Sequence, residues 1–260
     1  MQLEDRVAVI TGAGSGIGEA SARLFAKEGA RIAALSHTED EVKRLAEELE
    51  RQGHEAMHIV ADISEADAMK TAYEQVVDRW GRLDVVFANA GINGLWAPIE
   101  ELGPDDWDET LHTNLRGTFL TIKYAVPHLK ARGGSVLVTS SVNGTRMFSN
   151  TGATAYAVSK AGQVAMTKML AVELAKHKIR VNVICPGAID TDIDDNTERE
   201  GLESIRLPVE FPEGMIPLTG KEAGTSEQVA QLALFLASDM SSHITGTEVW
   251  IDGAQSLLQG

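Results

Sequence analysis

Thr11-Gly12-Ala13-Gly14-Ser15-Gly16-Ile17-Gly18 decides the fold, because of what stands on either side of it. Before it runs Val7-Ala8-Val9-Ile10, a short apolar run of the kind buried on both faces of a parallel sheet. After it, the stretch from about Ile17 to Glu28 has helical periodicity. Glycines at a strand-to-helix turn let the backbone approach a pyrophosphate, and the helix start offers unpaired N–H groups with partial positive charge. The spacing is T-G-x-x-x-G-x-G, not the strict G-x-G-x-x-G fingerprint, and a Gly-rich turn of this kind also occurs without a ligand.

The same alternation continues outward. Arg31 to Leu35, His58 to Val60, Leu83 to Ala88, Ser135 to Thr139, Arg180 to Ile184 and Glu248 to Ile251 read as strands. Between them, Glu39 to Arg51, Trp107 to Lys130, Ala155 to His177 and Ser226 to Ala237 read as helices. A further helix is expected to open at Ser64, with Asp67 completing its cap. Strict β-α alternation with continuously apolar strands predicts an α/β fold: one doubly wound Rossmann-type domain, 1–260, with about seven parallel strands and helices on both faces. The stretch from Asp190 to Thr225 lacks periodicity and carries Pro208, Pro212 and Pro217, so it is expected to be a substrate lid at about 190–225.

Bulk properties exclude several classes. A net charge of −15 speaks against nucleic acid and anionic membranes as partners. No apolar run reaches transmembrane length, and the N-terminus lacks a signal-peptide core. Cys185 stands alone, so no intramolecular disulfide and no cysteine-based metal site is expected, and a reducing cytoplasm is inferred.

Candidate chemistry clusters at strand ends. Asp62 ends the third strand, where a carboxylate could meet an adenine amino group or simply enter the next helix. Asn89-Ala90-Gly91 ends the fourth, at the carboxyl edge where ligands bind such sheets. Ser140-Ser141 ends the fifth, and Asn114 puts an amide among Leu111, Leu115 and Phe119. Tyr156 and Lys160, four apart, emerge from one helix face. A free phenol titrates near 10, so to act as a base near neutrality it must come down by roughly 3, about 4 kcal/mol. A neighbouring ammonium and an oxidised nicotinamide can supply that.

Taken in order, TGAGSGIG, Asp62, NAG, Asn114, Ser141, YAVSK and CPGAIDT resemble the classical short-chain dehydrogenase/reductase family, from Val7 to Ile251-Asp252-Gly253. The resemblance implies hydride transfer between a nicotinamide dinucleotide and a small carbonyl or secondary alcohol. It implies Gly12, Ser15, Gly16, Ile17 and Gly18 at the pyrophosphate, Asp62 and Ile63 at adenine, and Asn89, Ala90 and Gly91 near the adenosine ribose. Tyr156 would be the acid/base, Lys160 would hold the nicotinamide ribose and lower the phenol, and Ser141 would polarise the substrate oxygen. Asn114 would hold a water relaying protons, and Pro186, Gly187, Ile189 and Thr191 would fix the carboxamide. Family members form tetramers or dimers through the Tyr156 helix and the last strand, so a homo-oligomer is expected. One departure stands out: Ser141 lies 15 residues before Tyr156, about two more than the family usually shows, and the loop Arg146 to Thr154 is assigned the excess.

At the end of the second strand, Ser36-His37-Thr38 lacks the acid that would bind an NAD ribose and repel a 2′-phosphate. NADP(H) is therefore favoured over NAD(H), although no arginine is present there and Glu39 and Asp40 follow. Asn93 to Trp96, Asn143, Arg146 to Phe148 and Ile189 are expected to line the substrate pocket. The lid acids Asp190, Asp192, Asp194, Asp195, Glu198, Glu200 and Glu203 read either as a solvated surface loop or as an entrance that disfavours anions, and overall acidity disfavours an acidic carrier-protein thioester. A ketone, sugar, polyol or free hydroxyacyl compound is the expected substrate, with a 3-oxoacyl thioester as alternative. A catalytically silent nicotinamide sensor is the alternative from another class, disfavoured by the intact Tyr156, Lys160, Ser141 and Asn114.

Overall fold

A computed structural model describes residues 1–191, 193, 197–207 and 209–260. In chain order the elements are β1 (Val7–Thr11), α1 (Gly16–Lys27), β2 (Arg31–Ser36), α2 (Glu39–Arg51), β3 (Ala56–Val60), α3 (Ala66–Trp80), β4 (Val85–Ala88), β5 (Gly94–Trp96) and α4 (Pro104–Leu111). There follow α5 (Gly117–Leu129), β6 (Gly134–Thr139), α6 (Thr154–Leu174), β7 (Ile179–Pro186), β8 (Ile189–Asp190), β9 (Thr197–Arg199), β10 (Gly224–Thr225), α7 (Ser226–Ala237), β11 (Glu248–Ile251) and α8 (Gln255–Gln259).

Seven strands form the main sheet in the order β3-β2-β1-β4-β6-β7-β11. Every neighbouring pair is parallel. The strand period of two divides the side chains between two cores. Val7, Val9, Val136 and Val138 face one, with α3, α5 and α6 against them. Ala8, Ile10 and Leu137 face the other, beneath α1, α2 and α7. Strand order reverses between β1 and β4, so the carboxyl ends of β1, β4, β6 and β7 open on the crevice where such sheets bind ligands.

Three expectations need correction. Ser64 does not cap α3: its N–H and hydroxyl both donate to Asp62 Oδ1, at 2.8 and 2.7 Å, and Glu65 precedes the helix instead. A carboxylate two residues back competes successfully for those donors. The helix expected over Trp107 to Lys130 is interrupted by a π-turn at His112–Arg116, which separates α4 from α5. There the Asn114 carbonyl accepts from the Thr118 hydroxyl at 2.7 Å and Gln163 Nε2 at 2.9 Å. Periodicity cannot reveal this, because one extra residue in a turn leaves the apolar face nearly unchanged.

The stretch expected to be aperiodic contains short paired pieces. β9 pairs in parallel with β5, in the register Gly94↔Thr197 to Trp96↔Arg199, and β10 pairs with β8. Asn93 Nδ2 donates to Thr197 Oγ1 at 2.6 Å, tying this segment to the loop after β4. Asp192, Asp194, Asp195 and Pro208 of the expected lid lie outside the described residues.

Candidate active site

The Gly-rich turn is built by close approach. Gly12 has φ +64°, and a Cβ there would stand 2.9 Å from the Ala90 Cα. At Gly18 a Cβ would overlap the Gly12 carbonyl oxygen, so the first turn of α1 can fold back on the loop only without a side chain. Ser15 precedes α1 in extended conformation, and Gly16 and Ile17 begin the helix. This leaves N–H groups at a helix start beside a backbone that carries no side chains, a cradle fitted to a pyrophosphate.

Asn89 stitches three strands together at their carboxyl ends. Its Nδ2 donates to the Thr11 carbonyl at 3.2 Å, and its Oδ1 accepts from Thr139 Oγ1 at 2.9 Å. The Asn89 and Ala90 N–H groups donate to Thr11 Oγ1 at 3.0 and 3.2 Å. Thr191 comes in from the far side, its methyl 3.2 Å from where a Gly16 Cβ would stand. The Pro186 carbonyl accepts from Val142 N at 2.9 Å, Gly187 N donates to the Ile251 carbonyl at 3.0 Å, and Ile189 pairs with Gly224. The cofactor residues expected from β1, β4 and β7 therefore converge on one crevice.

Farther along the crevice, Ser36 is buried at the tip of β2 and its Oγ accepts from Thr38 N at 3.2 Å, while His37 is exposed beside it. Asp62 is exposed; burial would raise its carboxyl, but the two Ser64 hydrogen bonds and the nearby His37 and His112 hold it below the ordinary range. Ile63 is buried next to it. Arg44, which the sequence did not single out, reaches back from α2: its Nη2 donates to the Gly14 carbonyl at 3.4 Å and pairs with Glu19 at 3.0 Å. The Glu41 carboxylate also lies against Gly14, so charges of both signs face this end of the turn.

Ser141, Tyr156 and Lys160 meet above β6. Ser140 points inward, donating to the Lys160 carbonyl at 2.8 Å, whereas the Ser141 hydroxyl accepts from Asn143 N at 3.1 Å. Lys160 Nζ lies 5.3 Å from the Tyr156 ring centre and donates to the Thr139 carbonyl at 3.1 Å. Both side chains are buried. Burial pushes the phenol up to about 12 against the pull of the Ser141 hydrogen bond, and pushes the ammonium down to about 8. Within the protein alone, desolvation of the phenolate dominates.

Asn114 is fully buried and fully engaged. Its Oδ1 accepts from Ile92 N at 2.8 Å; its Nδ2 donates to the Ile92 carbonyl at 2.8 Å and to Ser159 Oγ at 3.1 Å. Ser159 in turn donates to the Tyr156 carbonyl at 2.7 Å. Asn114 thus clamps the loop bearing Gly91 to the helix bearing Tyr156, and a water at its carbonyl would have to displace Thr118 or Gln163. Trp96 stands beside the site, its ring centre 6.4 Å from that of Tyr156, with the Arg199 guanidinium 5.6 Å from the indole centre.

Comparison with known proteins gives a consistent picture. Residues 12–254 match a family model described as enoyl-(acyl carrier protein) reductase. A 3-oxoacyl-[acyl-carrier-protein] reductase FabG from Thermotoga maritima is 40% identical over 254 residues, spanning 97% of this chain and 98% of that one. The crystal structure of a 3-ketoacyl-ACP reductase from Sinorhizobium meliloti 1021 superposes with TM-score 0.94 at 52% identity, covering 97% of this chain and 99% of that one. A 3-ketoacyl-(acyl-carrier-protein) reductase from Brucella melitensis, crystallised with NADH, gives TM-score 0.86 at 31% identity over 98% of this chain and 99% of that one.

Proposed function

The chain belongs to the classical short-chain dehydrogenase/reductase family, and on that premise we propose that Tyr156, Ser141 and Lys160 carry out carbonyl reduction on a small ketone. It is an NAD(P)-dependent oxidoreductase acting on CH–OH groups, so the silent-sensor alternative falls away. The observation that carries the residue assignment is the meeting of three buried side chains, with the Lys160 ammonium 5.3 Å from the Tyr156 ring centre and Ser141 buried at the end of β6.

A bound nicotinamide supplies the hydride. Ser141 holds and polarises the substrate oxygen, and the Tyr156 Oη–H gives that oxygen its proton. The phenolate left behind is stabilised by the Lys160 ammonium. Gly12, Ser15, Gly16, Ile17 and Gly18 would hold the pyrophosphate, Asp62 and Ile63 the adenine, and Pro186, Gly187, Ile189 and Thr191 the carboxamide. Asn114 acts by clamping the Ile92 backbone to α6.

The substrate proposal is a small ketone or free 3-oxoacyl compound. The names of the relatives favour a 3-oxoacyl thioester as second reading, while a net charge of −15 opposes encounter with an acidic carrier. Oxidation of NADPH and NADH against ketones, sugars, a short 3-oxoacyl thioester and its carrier-bound form tests this. Equal turnover of the carrier-bound form would replace the first reading with the second.

NADP(H) is the proposed cofactor, supported by the lack of an acid at Ser36 and by Arg44 at the turn. Ser36→Asp is expected to move the kcat/KM ratio toward NADH by about tenfold or more, measured with both cofactors at fixed ketone; an unchanged ratio refutes the assignment. A cytoplasmic homo-oligomer completes the proposal. Phe119, Met169 and Val172 are 46%, 73% and 82% exposed on α5 and α6, more apolar surface than helices of a free subunit usually show. Val172→Glu should shift sedimentation toward a smaller species, and an unaltered profile would move the interface elsewhere.

A further inference from the structure

The long spacing between Ser141 and Tyr156 finds its physical meaning at the last strand. Ser141 opens a tight turn in which the Val142 carbonyl accepts from Thr145, Arg146 and Met147 N–H at 3.2, 3.0 and 2.9 Å. The Ser141 carbonyl instead accepts from the Thr145 hydroxyl at 2.7 Å. That hydroxyl receives the Trp250 indole N–H at 3.3 Å, from β11, 105 residues away in the chain. Arg146, next in the turn, lies with its guanidinium 3.5 Å from the Trp250 ring centre.

Together these contacts orient a hydroxyl. A threonine hydroxyl that accepts a hydrogen bond has one proton left to direct, and here the carbonyls of Ser141 and Val142 lie within its reach. The indole donor thereby biases the Thr145 proton toward the turn and fixes the Ser141 peptide plane. The Ser141 side chain leaves that plane toward Tyr156, with its oxygen held by Asn143 N. The Arg146 stack covers the indole face and fastens the outer part of the turn to the same tryptophan, an interaction strongest where the ring is partly desolvated.

We propose that Trp250 is a positioning residue of the active site, acting through Thr145 on Ser141, and that Arg146 locks the lengthened loop onto it. The proposal rests on Ser141 being the hydroxyl that meets the substrate oxygen. Sequence alone cannot display it, since Thr145 and Trp250 lie 105 residues apart and meet only once β11 pairs with β7.

The test uses the whole enzyme with NADPH, or NADH if that is preferred, and its best ketone. Trp250→Phe keeps a ring for Arg146 but removes the donor; Thr145→Val removes the relay and Thr145→Ser restores it. Trp250→Phe and Thr145→Val should each lower kcat about tenfold, as expected for losing one aligned polar contact, with cofactor KM unchanged. The double variant should be no slower than either single one, and Thr145→Ser should recover most of the loss. In a Ser141→Ala background, Trp250→Phe should change nothing further. Wild-type kcat in Trp250→Phe, equal losses for Thr145→Ser and Thr145→Val, or an additional loss on top of Ser141→Ala would each overturn the proposal. Undiminished turnover in Ser141→Ala would instead remove the premise about Ser141 itself.

Discussion

Tyr156→Phe is expected to reduce turnover by about 10³–10⁴, the full contribution of a positioned general acid, while leaving cofactor affinity within about twofold. The reason lies in what the substitution removes. The ring is buried and packed near Trp96, and phenylalanine fills the same space. Only the Oη–H disappears, and with it the proton for the developing alkoxide. Single-turnover consumption of reduced cofactor, with binding followed separately by protein fluorescence, separates the two effects. Retained turnover would reassign the acid; a parallel loss of cofactor binding would mean that the variant disturbs the crevice.

Lys160→Met should nearly abolish activity yet stabilise the unliganded protein near neutrality. The ammonium is buried with the Thr139 carbonyl as its hydrogen-bond acceptor, and burial pushes its titration from 10.5 down to about 8. The charged form is therefore less favourable folded than unfolded, by about 3 kcal/mol. Between pH 8 and 10.5 the unfolded chain holds this proton and the folded chain has shed it, so wild-type stability rises with pH across that window. Methionine removes the penalty, and the variant's advantage in urea unfolding should be largest below pH 8 and shrink toward pH 10.5. An advantage that grew with pH would contradict the burial argument. Tyr156 acts in the opposite sense above 10, where the unfolded phenol ionises first, so the measurement belongs below that value.

Legibility in the sequence followed the range of the interactions involved. α2, α7 and β11 have the bounds that periodicity predicts, because a helix face or an apolar strand is written in neighbouring residues. Ser140 and Ser141 stand together at a strand end in the sequence, and only the structure sends the Ser140 hydroxyl to the Lys160 carbonyl and the Ser141 hydroxyl to Asn143 N. The π-turn at Asn114 is not legible in periodicity, and at it the Asn114 carbonyl accepts from Thr118 and from Gln163 on another helix. Arg44 was hidden as well: two turns into α2, it looks like an ordinary solvent-facing charge until β2 and α2 fold back and bring it to Gly14.

By itself the sequence determined the parallel α/β architecture, the crevice at the strand ends and the pairing of Tyr156 with Lys160. Each of these follows from local periodicity, from glycine where backbone must approach backbone, and from a four-residue helical spacing. Tertiary structure alone decided the burial of the phenol, the clamping of Ile92 by Asn114, and the link from Trp250 through Thr145 to Ser141. Desolvation and long-range hydrogen bonding depend on which distant elements close over a group, and that is set only when the sheet and its helices pack together.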